Sequence, residues 1–206
     1  MDEVNGMQTA TLLAPSVLQR KAALPAKEKL LTGTEALNLG IDQPFELVNG
    51  RIVIMDYTAD EHGIIESELS RYLGNFNVTR KLGWVLSGEV GLYTRYEPDT
   101  VRGVDVIFIS RQRLSAPKGK ALQVAPELVV EIVSPSDRWG ELRNKIAEYF
   151  AIGVERVWIV EPEKKQLLVY RTPTDFTQLT EQETVHGEGI LDGFALPLRE
   201  LFAELS

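Results

Sequence analysis

The chain has 206 residues, a formal net charge of −8 and no cysteine. That length suits one domain with a proper core, and the 44% apolar and 25% charged fractions are those of a globular protein. The missing cysteine excludes disulfides, thiolate-ligated metals and a cysteine nucleophile, and the acidic balance excludes a broad basic face for sequence-independent nucleic-acid binding.

Residues 1–25 show no sustained periodicity and read as a flexible N-terminal extension, ahead of a single domain over 26–206. The opening MDEVNGMQTA lacks the basic and apolar regions of a signal peptide. No apolar run approaches the ~18 residues a membrane helix needs, so a soluble, cytoplasmic protein with no membrane association is expected. FELVNGRIVIM (45–55) predicts two short strands joined at Asn49-Gly50. TADEHGIIESELSRYLGNF (58–76) predicts a helix. Thr58 and Glu61 have capping-box spacing, and His62, Ile65, Leu69, Tyr72 and Phe76 share one face.

GWVLSGEVGLY (83–93) and VRGVDVIFIS (101–110) predict strands, followed by the basic loop RQRLSAPKGK (111–120). Residues 71–120 together carry +5 and the rest of the chain −13. Arg111, Arg113, Lys118 and Lys120 are therefore candidate nucleic-acid contacts, although a solvated loop would have the same composition. Next come a strand over 127–133, a helix over about 135–151 and the strand RVWIVEP (156–162). This is a βαβ unit, which requires a parallel pair. Ser134 is placed to cap that helix, Pro135 to open it and Gly153 to end it. KKQLLVYRT (164–172) returns as a hairpin partner, and the tail holds a Gly-rich loop (187–193) and a short helix in LPLRELFAEL.

Two acids break this pattern. Glu131 interrupts Leu128-Val129-Val130 and Ile132-Val133, a strand apolar enough to be buried on both faces. Asp105 stands in the same way before Val106-Ile107-Phe108-Ile109. A buried carboxylate must be protonated, paired or bound to a cation, and two that converge repel unless something positive lies between them. A divalent ion such as Mg²⁺, with Mn²⁺ able to substitute, is one solution. On the following helix Trp139, Leu142, Ile146, Tyr149 and Phe150 form the apolar stripe. Lys145 falls at its edge, within reach of Glu131 or as a boundary lysine whose stem lies along the apolar surface.

An aspartate on one strand, an acid on the next and a lysine resemble the PD-(D/E)xK nuclease pattern. The closer resemblance is to its Uma-two branch, a family of restriction-endonuclease-like proteins. It rests on ELVNG (46–50), His62, GVDVIFIS, VVEIVSPSDR, Lys145, Tyr149 and GVERVWIVEP, and it covers about residues 44–200. Three positions depart from the wider or the branch pattern. Val104 replaces the proline, Val133 the strand lysine, and Glu161 an aspartate.

The resemblance implies an α/β restriction-endonuclease-like core with a central mixed sheet flanked by helices. It implies Mg²⁺-dependent hydrolysis of DNA phosphodiesters, with Asp105 and Glu131 as metal ligands, Glu46 as a third acid, and Lys145 supplying from the helix the lysine that Val133 lacks. His62 reads either as a proton carrier or phosphate contact, or as a core histidine. Tyr149 reads as packing with its hydroxyl on a site carboxylate. By analogy with enzymes that cut two strands with two sites, a homodimer is expected. A binding or assembly module on the same fold, with the acids kept structurally, is the alternative.

Overall fold

The computed structural model describes residues 29–205. The expectation for residues 1–25 lies outside the described residues. The chain order is α1 (Gly33–Leu37), β1 (Phe45–Val48), β2 (Arg51–Ile54), α2 (Asp60–Arg80), β3 (Gly83–Arg95), β4 (Thr100–Ser110), β5 (Leu128–Ile132), α3 (Trp139–Ile152), β6 (Arg156–Glu161), β7 (Gln166–Tyr170), β8 (Phe176–Thr180), β9 (Thr184–His186), β10 (Ala195–Pro197) and α4 (Leu198–Leu201).

Eight strands form one mixed sheet in the order β2-β1-β4-β5-β6-β7-β8, with β3 also paired to β4, and β9 and β10 make a small antiparallel pair. The hairpin turns at Asn49 and Gly50, both at positive φ (52° and 74°), the backbone that matches a right-handed strand twist. β5 and β6 are parallel, in register from Leu128↔Arg156 to Ile132↔Val160, as the βαβ reading requires. α2 and α3 cover opposite faces. Ile65, Leu69 and Leu73 of α2 pack with Phe108, Val130 and Trp158. Leu142, Ile146 and Tyr149 of α3 pack with Ile107, Val129 and Ile159. Among the described residues no helix is long and apolar enough to cross a membrane.

Two helix starts differ from the sequence reading. α2 has Ala59, not Thr58, as its N-cap, with no side-chain cap. Asp60 instead accepts the Glu61 N–H at 2.9 Å, so the Thr58–Glu61 box is not made. α3 starts at Trp139, four residues later than expected. Residues 134–137 close on themselves, because the Asp137 carboxylate accepts the Ser134 N–H at 2.7 Å and the Ser134 carbonyl accepts the Asp137 N–H at 3.1 Å. Ser134 is thus an acceptor for a turn and not for the helix. Gly153 ends α3 as expected, at φ 99°. A capping box does occur at α1, between Thr32 and Glu35, and β8, β9 and β10 were not foreseen.

The junction of α2 with the sheet rests on a close approach at Gly83. The Asn77 side chain bonds both its N–H (3.1 Å) and its carbonyl (3.0 Å). A Cβ there would overlap the Ile109 carbonyl of β4. Gly83→Ala should therefore push β3 off β4 and cost roughly 1–3 kcal/mol, read as a lower midpoint in urea denaturation with unchanged slope.

Candidate active site at the strand fork

β4 and β5 pair at Val106↔Val130, Ile107↔Val129 and Phe108↔Leu128. One step further in the same register would set Asp105 opposite Glu131, and there the ladder stops. Beyond this fork β4 pairs instead with β1, at Val101↔Leu47. A fork frees backbone donors, and the Ile132 N–H is taken by Asp105 Oδ2 at 2.6 Å. That bond and the fork together explain how Asp105 is tolerated inside a fully buried strand.

On its other side β4 faces a bulge. β3 pairs Ser87 with Val106 and Val90 with Val104, so Gly88 and Glu89 together oppose Asp105. Both have positive φ, 89° and 55°, and Glu66 of α2 holds the bulge by accepting the Gly88 N–H at 2.7 Å. The extra residue re-aims its side chain, and the Glu89 carboxylate tucks over Gly103.

The helices complete the site. Lys145 Nζ lies 2.9 Å from Glu46 Oε1 and 3.4 Å from Glu131 Oε2. The Tyr149 hydroxyl, one turn on, donates to Glu131 Oε1. Arg102 donates to Glu46 Oε2 at 2.8 Å and grips Glu148 with two bonds of 2.8 and 2.7 Å. Thr94 donates to the same Glu148 at 2.9 Å. From α2, His62 Nε2 lies 3.3 Å from Asp105 Oδ2, while its buried Nδ1 has no hydrogen-bond partner among the described residues.

Negative charge is in excess here, and the proton affinities show it. Burial, and next the charges of Asp105 and Glu46, push the Glu131 carboxyl well above its usual range, against the pull of Lys145 and the Tyr149 hydrogen bond. Glu89 is pushed up to about 7, by desolvation of its carboxylate and then by Asp105. Burial pulls the Lys145 ammonium down, but Glu131 and Glu46 outweigh it and hold the group above an ordinary lysine. Burial likewise lowers His62, and the Asp105 hydrogen bond and charge outweigh it.

Asp105, Glu131, Lys145, Glu46, His62 and Tyr149 are thus brought together. The 111–120 loop is not. It leaves β4 at Ser110, five residues past Asp105, or roughly 17 Å along a strand. Arg113 is committed to Glu127 (3.0 Å) and to Glu155. Arg111 lies over the Trp84 ring at 4.2 Å and donates to the Lys81 carbonyl. Lys118 and Lys120 are exposed. Sequence reasoning missed Arg102, Glu148 and Glu89. Arg102 carried a readable signal, since it stands inside an apolar strand three residues before Asp105. Glu89 carried none, because its position depends on the bulge.

A cleft of about 250 Å³ opens onto the site, lined by Glu46, Glu131 and Lys145 and by Val53 and Met55 from the hairpin side. A second cavity of about 210 Å³ lies beyond Arg102 and Met55 and includes Glu89. Among the described residues no three His, Asp or Glu side chains stand ready as a complete metal-ligand set. The carboxylates that could share an ion are Asp105 and Glu131.

Residues 35–199 match the model of the Uma2 family, described as "putative restriction endonuclease". No curated protein matches the chain. The fold is that of a crystal structure from Anabaena variabilis described as "a putative nuclease belonging to DUF820". The TM-score is 0.73 at 18% identity, covering 85% of this chain and 99% of the other.

Proposed function

From the premise that the chain belongs to the Uma2 family, we propose that it is a Mg²⁺-dependent endonuclease hydrolysing DNA phosphodiester bonds. The observation that carries this reading is the fork, where Asp105 and Glu131 lie one step beyond the last β4–β5 pair, with the Lys145 ammonium 3.4 Å from the Glu131 carboxylate.

The donor set suits a small hard cation. Asp105 Oδ2 is occupied by the Ile132 N–H and faces His62, and no donor among the described residues bonds Oδ1. Glu131 is held in orientation through Oε1 by Tyr149. Mg²⁺ takes one or two carboxylates and completes its shell with water, so an ion on Asp105 and Glu131 does not require a third protein ligand. It would also relieve the repulsion by Asp105 and Glu46 that, after burial, raises the Glu131 pKa. When bound, such an ion lowers the pKa of a water and neutralises charge on the phosphate.

The chain's own groups do the rest. Lys145 faces the phosphate with a charge that burial cannot remove, because two carboxylates hold its proton. It can orient the attacking water or stabilise the charge that grows on the phosphate oxygens. Glu46 positions Lys145, and Arg102 positions Glu46 while being itself fixed by Glu148. The exposed Lys118 and Lys120 remain candidates for more distant backbone contacts. Two strands cut at two sites would require two copies, so the homodimer belongs to the same proposal.

Supercoiled plasmid incubated with Mg²⁺ or Mn²⁺ should be nicked and linearised by the wild type and left intact by Asp105→Ala. Equal behaviour of the two proteins, whether both inert or both active, would refute the assignment. One observation favours a non-catalytic binding module instead: Lys145 already bridges Glu46 and Glu131. Calorimetric titration with Mn²⁺ separates the readings, since heat that disappears in Asp105→Ala is foreign to a module that binds no metal.

A further inference from the structure

We infer that Arg138 is a phosphate-binding residue that holds the nucleic-acid backbone at the lip of the cleft. The inference rests on the reading of the site as one that takes nucleic acid. Three cations line the cleft: Arg102, Arg138 and Lys145. Two already have carboxylate partners, Arg102 in Glu46 and Glu148, and Lys145 in Glu46 and Glu131. Of the cleft's other acids, Asp137 is engaged by the Ser134 N–H, and Glu141 makes no ion pair with Arg138. Among the described residues the Arg138 guanidinium has neither an ion-pair nor a hydrogen-bond partner. A polyanion entering a cleft walled by carboxylates meets repulsion from every acid in it, and Arg138 is the cation left to offset that.

The backbone beneath this side chain is fixed. The Arg138 carbonyl accepts the Glu141 and Leu142 N–H groups at 2.9 and 3.1 Å, as N-cap of α3, and the preceding 134–137 turn closes on itself. The guanidinium is therefore an exposed group on a rigid base, about two helical turns from Lys145 along the chain. Its planar fork fits two phosphate oxygens at once, which an ammonium cannot do.

The test uses the full chain and a fluorescein-labelled 20-base-pair DNA duplex. Anisotropy is followed in EDTA across a KCl series, and cleavage of the same duplex in Mn²⁺. Arg138→Ala should weaken binding roughly tenfold and flatten the dependence of log Kd on log [KCl] by about one. In cleavage it should raise KM far more than it lowers kcat. Arg138→Lys should keep the salt slope while losing part of the affinity. Asn144→Ala, at the same cleft without charge, should change neither. An Arg138→Ala protein with wild-type affinity and slope overturns this assignment and leaves the nuclease reading intact. A wild type that binds with an Arg138-dependent slope but never cuts sustains Arg138 and refutes the nuclease reading. A wild type that neither binds nor cuts refutes both.

Discussion

Glu131→Gln is expected to abolish the proposed cleavage and, in metal-free buffer at pH 8, to make the protein more stable. The first effect follows from the proposed site, where the variant keeps the shape of the side chain and the Tyr149 hydrogen bond but loses the charge that would hold a cation. A fall in kcat of at least 10³-fold is expected, on the scale of lost electrostatic stabilisation. The second follows from the pKa. In the folded state burial, and next the charges of Asp105 and Glu46, push the Glu131 carboxyl up to about 8 from an ordinary 4.5, so between those values the folded protein binds more protons than the unfolded one. Stability therefore falls as pH rises through that window, and no penalty is present below it. Glutamine never ionises and escapes the penalty. The gain at pH 8 is on the order of 1–3 kcal/mol, or about 2–4 °C per kcal/mol at this size, and it vanishes near pH 4.5. Thermal melts at both pH values in EDTA check this, and a variant less stable than wild type at pH 8 refutes it. Mn²⁺ at pH 8 should stabilise the wild type and not Glu131→Gln, because the ion and the proton compete for the same oxygens.

Lys145→Met should lose the proposed activity as well, but its stability should fall instead of rise. The side chain is 16% exposed, between carboxylates that are 4% and 9% exposed. Removing the ammonium leaves Glu46 with Arg102 and the Gly103 N–H, and Glu131 with only a tyrosine hydroxyl. Breaking a buried ion pair from one side costs about 3–5 kcal/mol. The cost is smaller at pH 6, where Glu131 answers by keeping its proton, and larger at pH 8. Adding Glu131→Gln to Lys145→Met should recover much of the lost stability, because the uncompensated charge is then gone, and should recover no cleavage. Urea denaturation of the four proteins at both pH values forms the double-mutant cycle. Additive effects of the two substitutions would show that the pair is not coupled, contrary to the geometry.

These two variants are expected to move stability in opposite directions because the site is not built for stability. Four carboxylates, Glu46, Glu89, Asp105 and Glu131, approach a region that holds Lys145 and a shared Arg102. A core selected only for packing would not retain that imbalance, and sites that do so commonly give up stability for function. Arg102 marks how the imbalance is contained. It ties the β1 acid to α3 through Glu148, so the hairpin carrying Glu46 is anchored to the helix carrying Lys145.

Much of this was legible in the chain itself. Asn49-Gly50 dictated its hairpin, since both turn positions need positive φ. Gly153 dictated the end of α3 for the same reason. The strand, helix, strand spacing of 127–162 required a parallel pair. Glu131 and Asp105 announced themselves because a carboxylate in an apolar strand demands a partner, and helical periodicity put Lys145 and Tyr149 on the side that could provide one. Local periodicity and desolvation cost are properties of short segments, and a sequence carries them openly.

What only the tertiary structure decided is how distant segments meet. That Asp105 and Glu131 stand at a fork depends on β4 leaving β5 for β1. That Glu89 belongs to the site depends on a bulge that α2 holds in place through Glu66. That Lys145 bridges two acids, and so leaves Arg138 as the cleft's uncommitted cation, depends on β1 and α3 reaching the same point from 99 residues apart. Register, forks and charge neutralisation are pair properties between segments, and no single stretch of the chain contains them.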